Sequence, residues 1–549
     1  MASWVLGGDI TLHTPSASPR KIQWPSELLA QLTPRLNAPA SHETFQRLAR
    51  ELDDSFGNDT LCLAFHHNWC MQLKAQIGKG QENGLLAWLK ANPLQLNPTL
   101  LLEQWGTLGH PWHPNYKTKL GLSASQVIAL SPEFQARISI TLCALHRQYA
   151  HIEAMPGIGD HWEWWETNFA HAAVRLRSEL QRRDLNEKDY VPLPAHPWQL
   201  NHELKRSFTD EIADNLLVVT KIIAFTGHPT MSFRTVLPEG SATAPMIKLP
   251  IALRLTSVQR TLSPRSVRMG PRISHLLQRI LQQEPSIKAL LNVVPERIGV
   301  HYAAQPADDQ RSRHLGVLYR DNPLDLLQAG EMAVPVGSLF VLDDLQRPLL
   351  QQWVKLAQGH DDDQAMLAFF QKYLGIAVPG LLGIYLLYGV AFEAHQQNSF
   401  MVMSPDGQPN HLLLRDFGDI RIDRNTLHDQ GLDVRLHDPQ LTLFDESELV
   451  RDKLLHSTFM CHLGELVLLC ARHWSVPESL LWSQLATQVS SCFEALRPRV
   501  DPERWERERL ALLEHDWPAK SFMRMRLFNS ATDIVGRIRN PLSCAENAS

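Results

Sequence analysis

Several features that mark common protein classes are missing from this 549-residue sequence. Its seven cysteines are scattered without a C-x-x-C motif or paired spacing, which argues against iron–sulfur, zinc-thiolate and disulfide frameworks. The N-terminus lacks a basic stretch followed by an apolar one, so no signal peptide is predicted. The formal charge of −5 argues against a general nucleic-acid binder, although it leaves room for an anionic substrate. Together these absences favour a cytoplasmic globular protein.

The composition is that of a folded protein, with 44% apolar and 20% charged residues and no internal repeat or low-complexity linker. Its length suggests about two to four domains rather than one core. The segment Tyr373 to Phe392 has no charged residue and is long enough to cross a bilayer. It contains Pro379, runs directly into polar residues and has no cluster of basic residues beside it. We therefore interpret it as a buried core segment and expect no membrane association.

The pattern of apolar residues divides the chain into three regions, which are predicted as domains of residues 1–155, 156–350 and 351–549. The first and third regions are mainly helical in pattern, and the second is rich in strands. In the first region, helices are predicted from Ser41 to Leu52, with Ser41 as N-cap, and from Phe134 to Ile152. The predicted fold class is therefore α+β, mostly helical with a central antiparallel sheet region.

Strands are predicted in the second and third regions. Apolar and polar residues alternate from Met246 to Thr256, and Pro250 within that run indicates an edge strand or a bulge. In the third region a short strand pair is expected at residues 400–403 and 411–414. It interrupts an otherwise helical pattern.

Cationic and hydroxyl side chains accompany the strands of the second region, with apolar residues between them. They are Ser232, Arg234, Thr235, Lys248, Arg254, Arg260, Thr261 and Arg320. A nucleoside triphosphate needs several fixed cations and donors, and arginine can bind phosphate oxygens through two parallel hydrogen bonds. The set suits a phosphate site. Spacing alone leaves a solvated strand face open as the alternative.

The most informative cluster follows the apolar segment and contains Glu393, His395, Gln397 and Asn398, with Asp416 after the next apolar run. Carboxylate and amide oxygens are hard ligands, which suit a Mg²⁺ ion that bridges phosphates. On an ideal helix Glu393 and Asn398 would lie about 140° apart, so they converge best where the helix ends or distorts. Helix capping is the alternative for each residue taken alone.

Asp416, Phe417 and Gly418 also spell the metal-binding DFG triplet of protein kinases. The kinase glycine-rich loop, the H-R-D catalytic loop and the Walker A sequence are all missing from the chain. The triplet therefore does not predict an ordinary kinase. It is compatible with a kinase-like placement of Asp416 on Mg²⁺.

Other polar residues have weaker signals. Each of His110, His113, His196 and His228 precedes a proline. His110 and His113 could bind zinc only with a third ligand, and none lies nearby in sequence. The preferred interpretation of all four histidines is a rigid turn packed on aromatic residues. Lys520 and Arg524 lie four residues apart on a predicted helix face, which is either solvated or binds an anion.

Taken together, these segments resemble one family, the NRPS-independent siderophore synthetases of the IucA/IucC type. The matching stretches occur in the family's order, from about residue 100 to residue 527, and the first 100 residues match poorly. They are GHPWHPNYKTKLG (109–121), LPAHPWQ (193–199), MSFRT (231–235), IKLPIALRLTSVQRTLS (247–263), FEAHQQN (392–398), LLLRDFGDIRI (412–422) and AKSFMRMRL (519–527).

The resemblance implies a three-domain cupped-hand architecture of thumb, fingers and palm. It places the nucleotide between the second and third domains and makes the third domain distantly kinase-like. The C-terminal segment also resembles ferric-siderophore reductases, but their terminal cysteine cluster is absent.

The resemblance also implies roles for matching positions. ATP is expected to contact Ser232, Arg234, Thr235, Lys248, Arg320 and Gln397. Mg²⁺ is expected to be bound by Glu393, Asn398 and Asp416. The carboxylate substrate is expected to contact Thr256, Arg260, His395, Lys520, His110 and Lys117, of which Arg260, His395 and Lys520 are the predicted catalytic residues.

The activity implied by the family is ATP-dependent activation of a carboxylate of citrate or a citrate derivative as an acyl-adenylate. A polyamine, amino acid, hydroxylamine or hydroxyl nucleophile then attacks, with release of AMP and pyrophosphate. A citrate monoamide and 2-oxoglutarate are the alternative acids. A kinase-like phosphotransferase and a ferric-siderophore-binding protein are the alternatives from other classes. A homodimer is compatible with these expectations.

Overall fold

The computed structural model describes residues 8–14, 17–35, 41–77, 84–92, 97–240, 243–255, 258–343, 345–530 and 532–543. Thr256, one of the predicted substrate contacts, lies outside the described residues.

The first region is largely helical, as predicted, until residue 130. Its helices are α1 (Pro25–Leu32), α2 (His42–Ile77), α3 (Gly84–Ala91), α4 (Pro98–Trp105) and α5 (Ala124–Leu130). Its strands are β1 (Thr11–Thr14), β2 (Ala17–Lys21), β3 (Lys119–Leu120), β4 (Ile138–His146) and β5 (Ala150–Ala154). The predicted N-cap is confirmed, because the Thr44 N–H donates to Ser41 Oγ at 3.2 Å.

The predicted helix from Phe134 to Ile152 is wrong. Strands β4 and β5 occupy this stretch, joined by a 3₁₀ turn at Arg147–Tyr149. The first half of β4 alternates buried Ile138 and Ile140 with more exposed neighbours, and its second half is buried on both faces. A continuous apolar run of this kind fits either a buried helix or a central strand, and sheet pairing decided in favour of the strand.

The second region supplies most strands of a central sheet, together with helices that pack against it. Its strands are β6 (Tyr190–Ala195), β7 (Leu217–Pro229), β8 (Thr235–Pro238), β9 (Met246–Lys248), β10 (Arg254–Leu255), β11 (Val258–Gln259), β12 (Leu291–Val293), β13 (Glu296–Tyr302), β14 (Gly316–Arg320) and β15 (Met332–Pro335). Its α-helices are α6 (His161–Arg182), α7 (Pro197–Gln199), α8 (Lys205–Ser207), α9 (Thr209–Ala213), α10 (Pro264–Gln283), α11 (Pro285–Lys288) and α12 (Asp309–Ser312).

An antiparallel sheet of eight strands forms the centre, in the order β5-β13-β14-β9-β8-β7-β4-β6. The predicted α+β class with a central antiparallel sheet is therefore confirmed. Strands β4 and β5 precede residue 155 but pair within this sheet. The domain boundaries stay predictions.

The predicted strand from Met246 to Thr256 is only partly right. Strand β9 ends at Lys248, and β10 begins at Arg254 in a different, three-stranded sheet. Pro250 has no N–H for a sheet hydrogen bond, which explains the break. Strand β9 lies between β14 and β8, so it is not the edge strand that the proline suggested.

The third region returns to helices. They are α13 (Leu349–Gln358), α14 (Asp363–Tyr388), α15 (Arg424–Asp429), α16 (Ser447–Leu454), α17 (Glu465–His473), α18 (Glu478–Leu496), α19 (Pro502–Leu513) and α20 (Phe522–Leu527), with a π-helix at Leu455–Gly464. The strands are β16 (Val390–Ala391), β17 (Ser399–Met403), β18 (Pro409–Leu414), β19 (Arg421–Asp423), β20 (Leu443–Phe444), β21 (Trp517–Lys520) and β22 (Val535–Ile538). The predicted strand pair is confirmed, since β17 pairs antiparallel with β18.

The uncharged segment forms most of α14, which ends at Tyr388 with Gly389 as a left-handed C-cap (φ 67°). Residues 363–388 and 447–473 meet the length and composition test for membrane spans. The apolar windows of these helices are 67% and 89% buried inside the protein. The expectation of a buried core segment is confirmed for α14, which belongs to the largest apolar cluster.

Lys520 and Arg524 do not share a helix face, contrary to the prediction. Lys520 ends strand β21, whereas Arg524 lies in α20. Lys520 forms an ion pair with Asp533 at 2.9 Å.

Candidate functional site

A cavity of about 690 Å³ lies where the three regions meet. It brings together most of the predicted site residues. Its lining includes His110, Lys117, Ser232, Arg234, Lys248, Arg260, Glu393, His395, Gln397, Asn398 and Asp416. Arg320 contacts this lining through Asp416. Thr235 is the cross-strand partner of Lys248, and Lys520 lies two residues before Phe522, which belongs to the lining.

Sheet register places three of the predicted phosphate contacts on one face. Lys248 of β9 pairs directly with Thr235 of β8 and with Leu318 of β14. Paired residues, and residues two apart on one strand, point to the same side of a sheet. Thr235, Lys248 and Arg320 therefore face the same way, with spacing fixed by the hydrogen-bond ladder.

Asp416 lies opposite these cations. Lys248 Nζ contacts both Asp416 carboxylate oxygens at 2.7 and 2.8 Å, and Arg320 lies 3.5 Å from one of them. Burial opposes ionisation, but the charges of Lys248 and Arg320 outweigh it and hold the pKa of Asp416 well below its usual range. Asp416 also has a φ of 65°, an uncommon left-handed conformation for a residue with a side chain. Arg320 is held at 2.6 Å by Glu296.

Arg234 organises the backbone that carries Arg260. Its Nη1 donates to the carbonyl of Arg260 at 3.1 Å and also to the carbonyl of Thr261. Burial, with the neighbouring charge of Arg260, lowers the pKa of Arg234 to about 10. Two buried donors nearby, Thr235 Oγ1 and Arg320 Nε, have no protein partner among the described residues. Buried donors of this kind normally have a partner, so they fit a site that receives an anion.

Glu393 lies on the other side of the cavity, in the loop after β16. Asn398 Nδ2 donates to the Glu393 carbonyl at 3.2 Å, so the predicted convergence of these two residues beyond the helix end is confirmed. Lys453 Nζ lies 3.3 Å from Glu393 Oε1 and also contacts Asp419. Burial, aided by the charges of Asp419 and Asp416, raises the pKa of Glu393 to about 7 despite Lys453. This group of oxygen donors could hold a hard divalent cation.

His395 is fixed between Glu393 and Asn398 as a hydrogen-bond donor. Its Nδ1 accepts from the Gln397 N–H at 3.3 Å, so in the neutral ring the proton lies on Nε2. Burial, with the charge of Lys453, lowers the pKa of His395 to about 4. Gln397 Nε2 donates to the Met231 carbonyl at 2.9 Å, which joins this loop to the one before β8.

His110 belongs to a cluster of neutral rings beside the cavity. Its ring centroid lies 5.4 Å from Phe522, 6.2 Å from His395 and 6.2 Å from His456. Its Nδ1 accepts from the Trp112 N–H at 3.1 Å, which again leaves a donor at Nε2. Burial, with charges including that of Lys520, lowers the pKa of His110 to about 3.

Ligand atoms of His110, His456 and Cys461 lie within 4.8 Å of one another. A metal at His110 Nε2 would displace the proton that the Trp112 contact fixes there. The geometry therefore favours hydrogen-bond donation by His110 over the zinc alternative.

Lys117 does not project alone into the cavity. Its Nζ and that of Lys119 each contact Glu133 Oε1 at 2.9 Å, and all three side chains are at most 7% exposed. The two ammonium groups outweigh burial and lower the pKa of Glu133 to about 2. One net positive charge therefore remains at this end of the cavity.

Sequence reasoning missed three residues around the carboxylates. Asp419 directly follows the DFG triplet, and this fourth position could have been included. Lys453 lies in α16 and Glu296 in β13, and neither has a motif around it. Their positions became visible only from their contacts with Glu393 and Arg320.

Comparison with protein families gives two matches along the chain. Residues 98–341 match the model described as the IucA / IucC family. Residues 367–534 match the model described as ferric iron reductase FhuF-like transporter.

Two relatives illustrate the sequence similarity. An uncharacterized protein of Sinorhizobium fredii is 34% identical over 98% of this chain and 87% of its own length. The D-ornithine–citrate ligase of Staphylococcus aureus is 27% identical over 72% of this chain and 61% of its own length.

Two solved structures confirm the fold. The petrobactin biosynthesis protein AsbB of Bacillus anthracis matches with a TM-score of 0.83 at 19% identity, over 98% of this chain and 85% of that one. ATP-bound aerobactin synthetase IucA of Klebsiella pneumoniae matches with a TM-score of 0.76 at 19% identity, over 97% of this chain and 89% of that one. The predicted architecture and family resemblance are thus confirmed, and the chain belongs to the IucA/IucC family.

Proposed function

We propose that this protein is a cytoplasmic, Mg²⁺- and ATP-dependent siderophore ligase. It adenylates a carboxylate of citrate or a citrate derivative and joins it to an amine or hydroxyl nucleophile, with release of AMP and pyrophosphate. The observation that carries the proposal is the cavity between the sheet and the third region. One side presents Arg234 and Lys248, and the other presents oxygen donors of Glu393 and Asn398, with Asp416 between them.

The lining suits anionic substrates. It contains seven lysine and arginine side chains and four carboxylates, so positive charge is in excess when all are ionised. Asp416 and Glu133 already contact lysines inside the cavity. A triphosphate and a polycarboxylate would use the remaining positive charge, which favours two anions in one site.

The residues also fit Mg²⁺ and ATP. Glu393, Asn398 and Asp416 offer hard oxygen donors, and Asp419 adds another close by. Thr235 Oγ1 and Arg320 Nε offer buried donors that have no protein partner among the described residues. When bound, Mg²⁺ would neutralise phosphate charge and ATP would supply the AMP group that activates the carboxylate.

The chain's own residues would then act by charge and orientation. Arg260 offsets the repulsion between the carboxylate and the triphosphate, which lowers the barrier to their approach. His395 and His110 each carry an Nε2–H that can donate to the substrate without adding charge. Lys520, whose charge adds to burial in lowering the pKa of His110, supplies a cation at the carboxylate end.

The choice of acid follows the names of the relatives. The Staphylococcus aureus relative is named a D-ornithine–citrate ligase, and another relative, from Bacillus anthracis, is named a citryl-spermidine/3,4-dihydroxybenzoyl-citryl-spermidine:spermidine ligase. Citrate is therefore proposed as the first acid, a citrate monoamide as the second and 2-oxoglutarate as the third. The nucleophile is proposed as a polyamine, an amino acid or a hydroxylamine.

The test is a substrate screen with separation of the nucleotide products. The purified chain is incubated with ATP, Mg²⁺, one acid and one nucleophile, and both pyrophosphate and AMP are measured. We expect both products only when an acid is present. ADP in place of AMP would instead identify a phosphotransferase.

The match of residues 367–534 to a ferric reductase-like family supports one further comparison. Ferric citrate is titrated into the same preparation without ATP. Tight ferric binding combined with no nucleotide turnover would overturn the ligase proposal in favour of a siderophore-binding protein.

A further inference from the structure

A buried ion pair outside the predicted site joins the first and third regions beside the cavity. Both terminal nitrogens of Arg415 donate to the carboxylate of Glu103, with Nη2 at 2.8 Å from Oε2. The Glu103 side chain is 0% exposed and that of Arg415 is 2% exposed. A two-pronged contact of this kind fixes orientation as well as distance.

Glu103 extends this contact to the second region. Its Oε2 accepts from the Met231 N–H at 2.9 Å, directly before Ser232. Helix α4, which carries Glu103, is buried along most of its length and donates from Thr99 to the Ala333 carbonyl at 3.0 Å. Glu103 is therefore held rigidly where it meets the loop that leads into β8.

Arg415 extends the contact to the loop that carries His395. Its Nη2 donates to the Gln397 carbonyl at 2.8 Å, and its N–H donates to the Asn398 carbonyl at 3.0 Å. Asp416 follows Arg415 directly in the chain. The Glu103–Arg415 ion pair thus joins the loop of Met231 to the loop of Gln397 and Asn398, directly before Asp416.

We infer that Glu103 is a positioning residue for the ligase reaction, and this inference rests on the proposed function. Acting through Arg415 and the Met231 amide, it fixes the distance between the Ser232 loop on the sheet side and the loop that carries His395. Stability alone does not require such a pair, because apolar residues of similar volume often replace a buried ion pair without loss. They would not reproduce its fixed orientation.

The activity test removes both charges together. In Glu103→Met/Arg415→Met we expect a lowered thermal midpoint, because the Met231 N–H and the Gln397 carbonyl lose these partners. We also expect kcat/KM for pyrophosphate release, measured per folded molecule, to fall about 100-fold. The control is Asp423→Leu/Arg504→Met, which removes another buried ion pair, 2.8 Å long, away from the cavity. It should keep the wild-type kcat/KM per folded molecule. Wild-type kcat/KM in the Glu103/Arg415 double variant would overturn the inference.

A second measurement needs neither substrate nor turnover. Hydrogen exchange is followed in the ligand-free full chain for Glu103→Gln, which keeps the side-chain shape. We expect exchange to rise about tenfold at residues 231–235 and also at residues 395–398. An increase confined to residues 231–235 would overturn the inference even if the double variant fails to fold. If the wild type releases no pyrophosphate, the proposed function fails while this measurement still tests the connection.

Discussion

The sheet side and the C-terminal side of the cavity hold charge in different ways. On the sheet side, strand pairing fixes the positions of Lys248 and Thr235, so backbone hydrogen bonds rather than side-chain contacts set the distance between them. On the C-terminal side, Glu393 and Asn398 lie in a loop, where Asn398 Nδ2 donates to the Glu393 carbonyl and Lys453 contacts the Glu393 carboxylate. The sheet therefore presents a preformed cationic surface, and the loop presents the Glu393 carboxylate, which needs a cationic partner.

Two carboxylates show the consequence. Asp416 and Glu393 have similar side-chain exposures of 22% and 27%. Even so, the pKa of Asp416 lies well below its usual range, and that of Glu393 is raised to about 7. Asp416 contacts Lys248 and lies near Arg320, whereas Glu393 has Lys453 and two nearby acids. The sheet cations stabilise one carboxylate, and the other is left for a further cation.

Loss of a sheet-side cation should have the largest effect. In Arg260→Ala we expect citrate-dependent pyrophosphate release to fall by about 10³-fold or more, because two anions would meet without that charge. We expect a similar loss for His395→Ala across the cavity. The matched control is Arg182→Ala, whose side chain is 72% exposed. Near-normal turnover of either site variant with an unchanged thermal midpoint would refute the site assignment.

Asp416→Asn should break the contact between the two sides. It leaves Lys248 buried without its carboxylate, so we expect a loss of about 3 kcal/mol in the free energy of unfolding, together with loss of activity. Asp445→Asn, at a carboxylate that is 70% exposed, is the control and should change stability by about 0.5 kcal/mol or less. Urea unfolding of the metal-free protein measures both, and equal stabilities would contradict the comparison.

Glu393→Gln should change how the free energy of unfolding varies with pH more than it changes the highest value of that free energy. The folded pKa of about 7 lies above the ordinary 4.5, so the folded state binds the extra proton between these values. Wild-type stability should therefore fall as the pH rises from about 4.5 to 7, and the variant should lack this component. Unfolding with EDTA at pH 5 and pH 8 measures it, with Glu448→Gln, 77% exposed, as control. Parallel curves for wild type and Glu393→Gln would reject the explanation.

The smallest effect is expected at Lys520. Because Lys520 lies two residues before Phe522 and is paired with Asp533, Lys520→Met should raise the KM for the acid about tenfold and change kcat little. Asp533→Asn, which leaves the lysine in place, should keep the KM. Steady-state kinetics with varied acid concentration distinguish the two, and a tenfold loss in kcat alone would contradict a binding role.

The sequence predicted these sites unevenly. The loop from Glu393 to Asn398 is recognisable because its polar residues abruptly follow an uncharged segment. The stretch from Phe134 to Ile152 was misread, since a run of apolar residues buried on both faces of a sheet has no distinctive period. Lys520 and Arg524 were placed on one helix because spacing alone cannot show that a strand ends between them.

The sequence by itself determined the family, the order of the motifs and those predicted site residues that the cavity brings together. These follow from local patterns and from short motifs with fixed chemistry. Only the tertiary structure decided which charges meet. Lys248 and Asp416 are 168 residues apart in the chain, and Glu103 and Arg415 are 312 apart. No local pattern encodes such contacts, because they arise from packing one region against another.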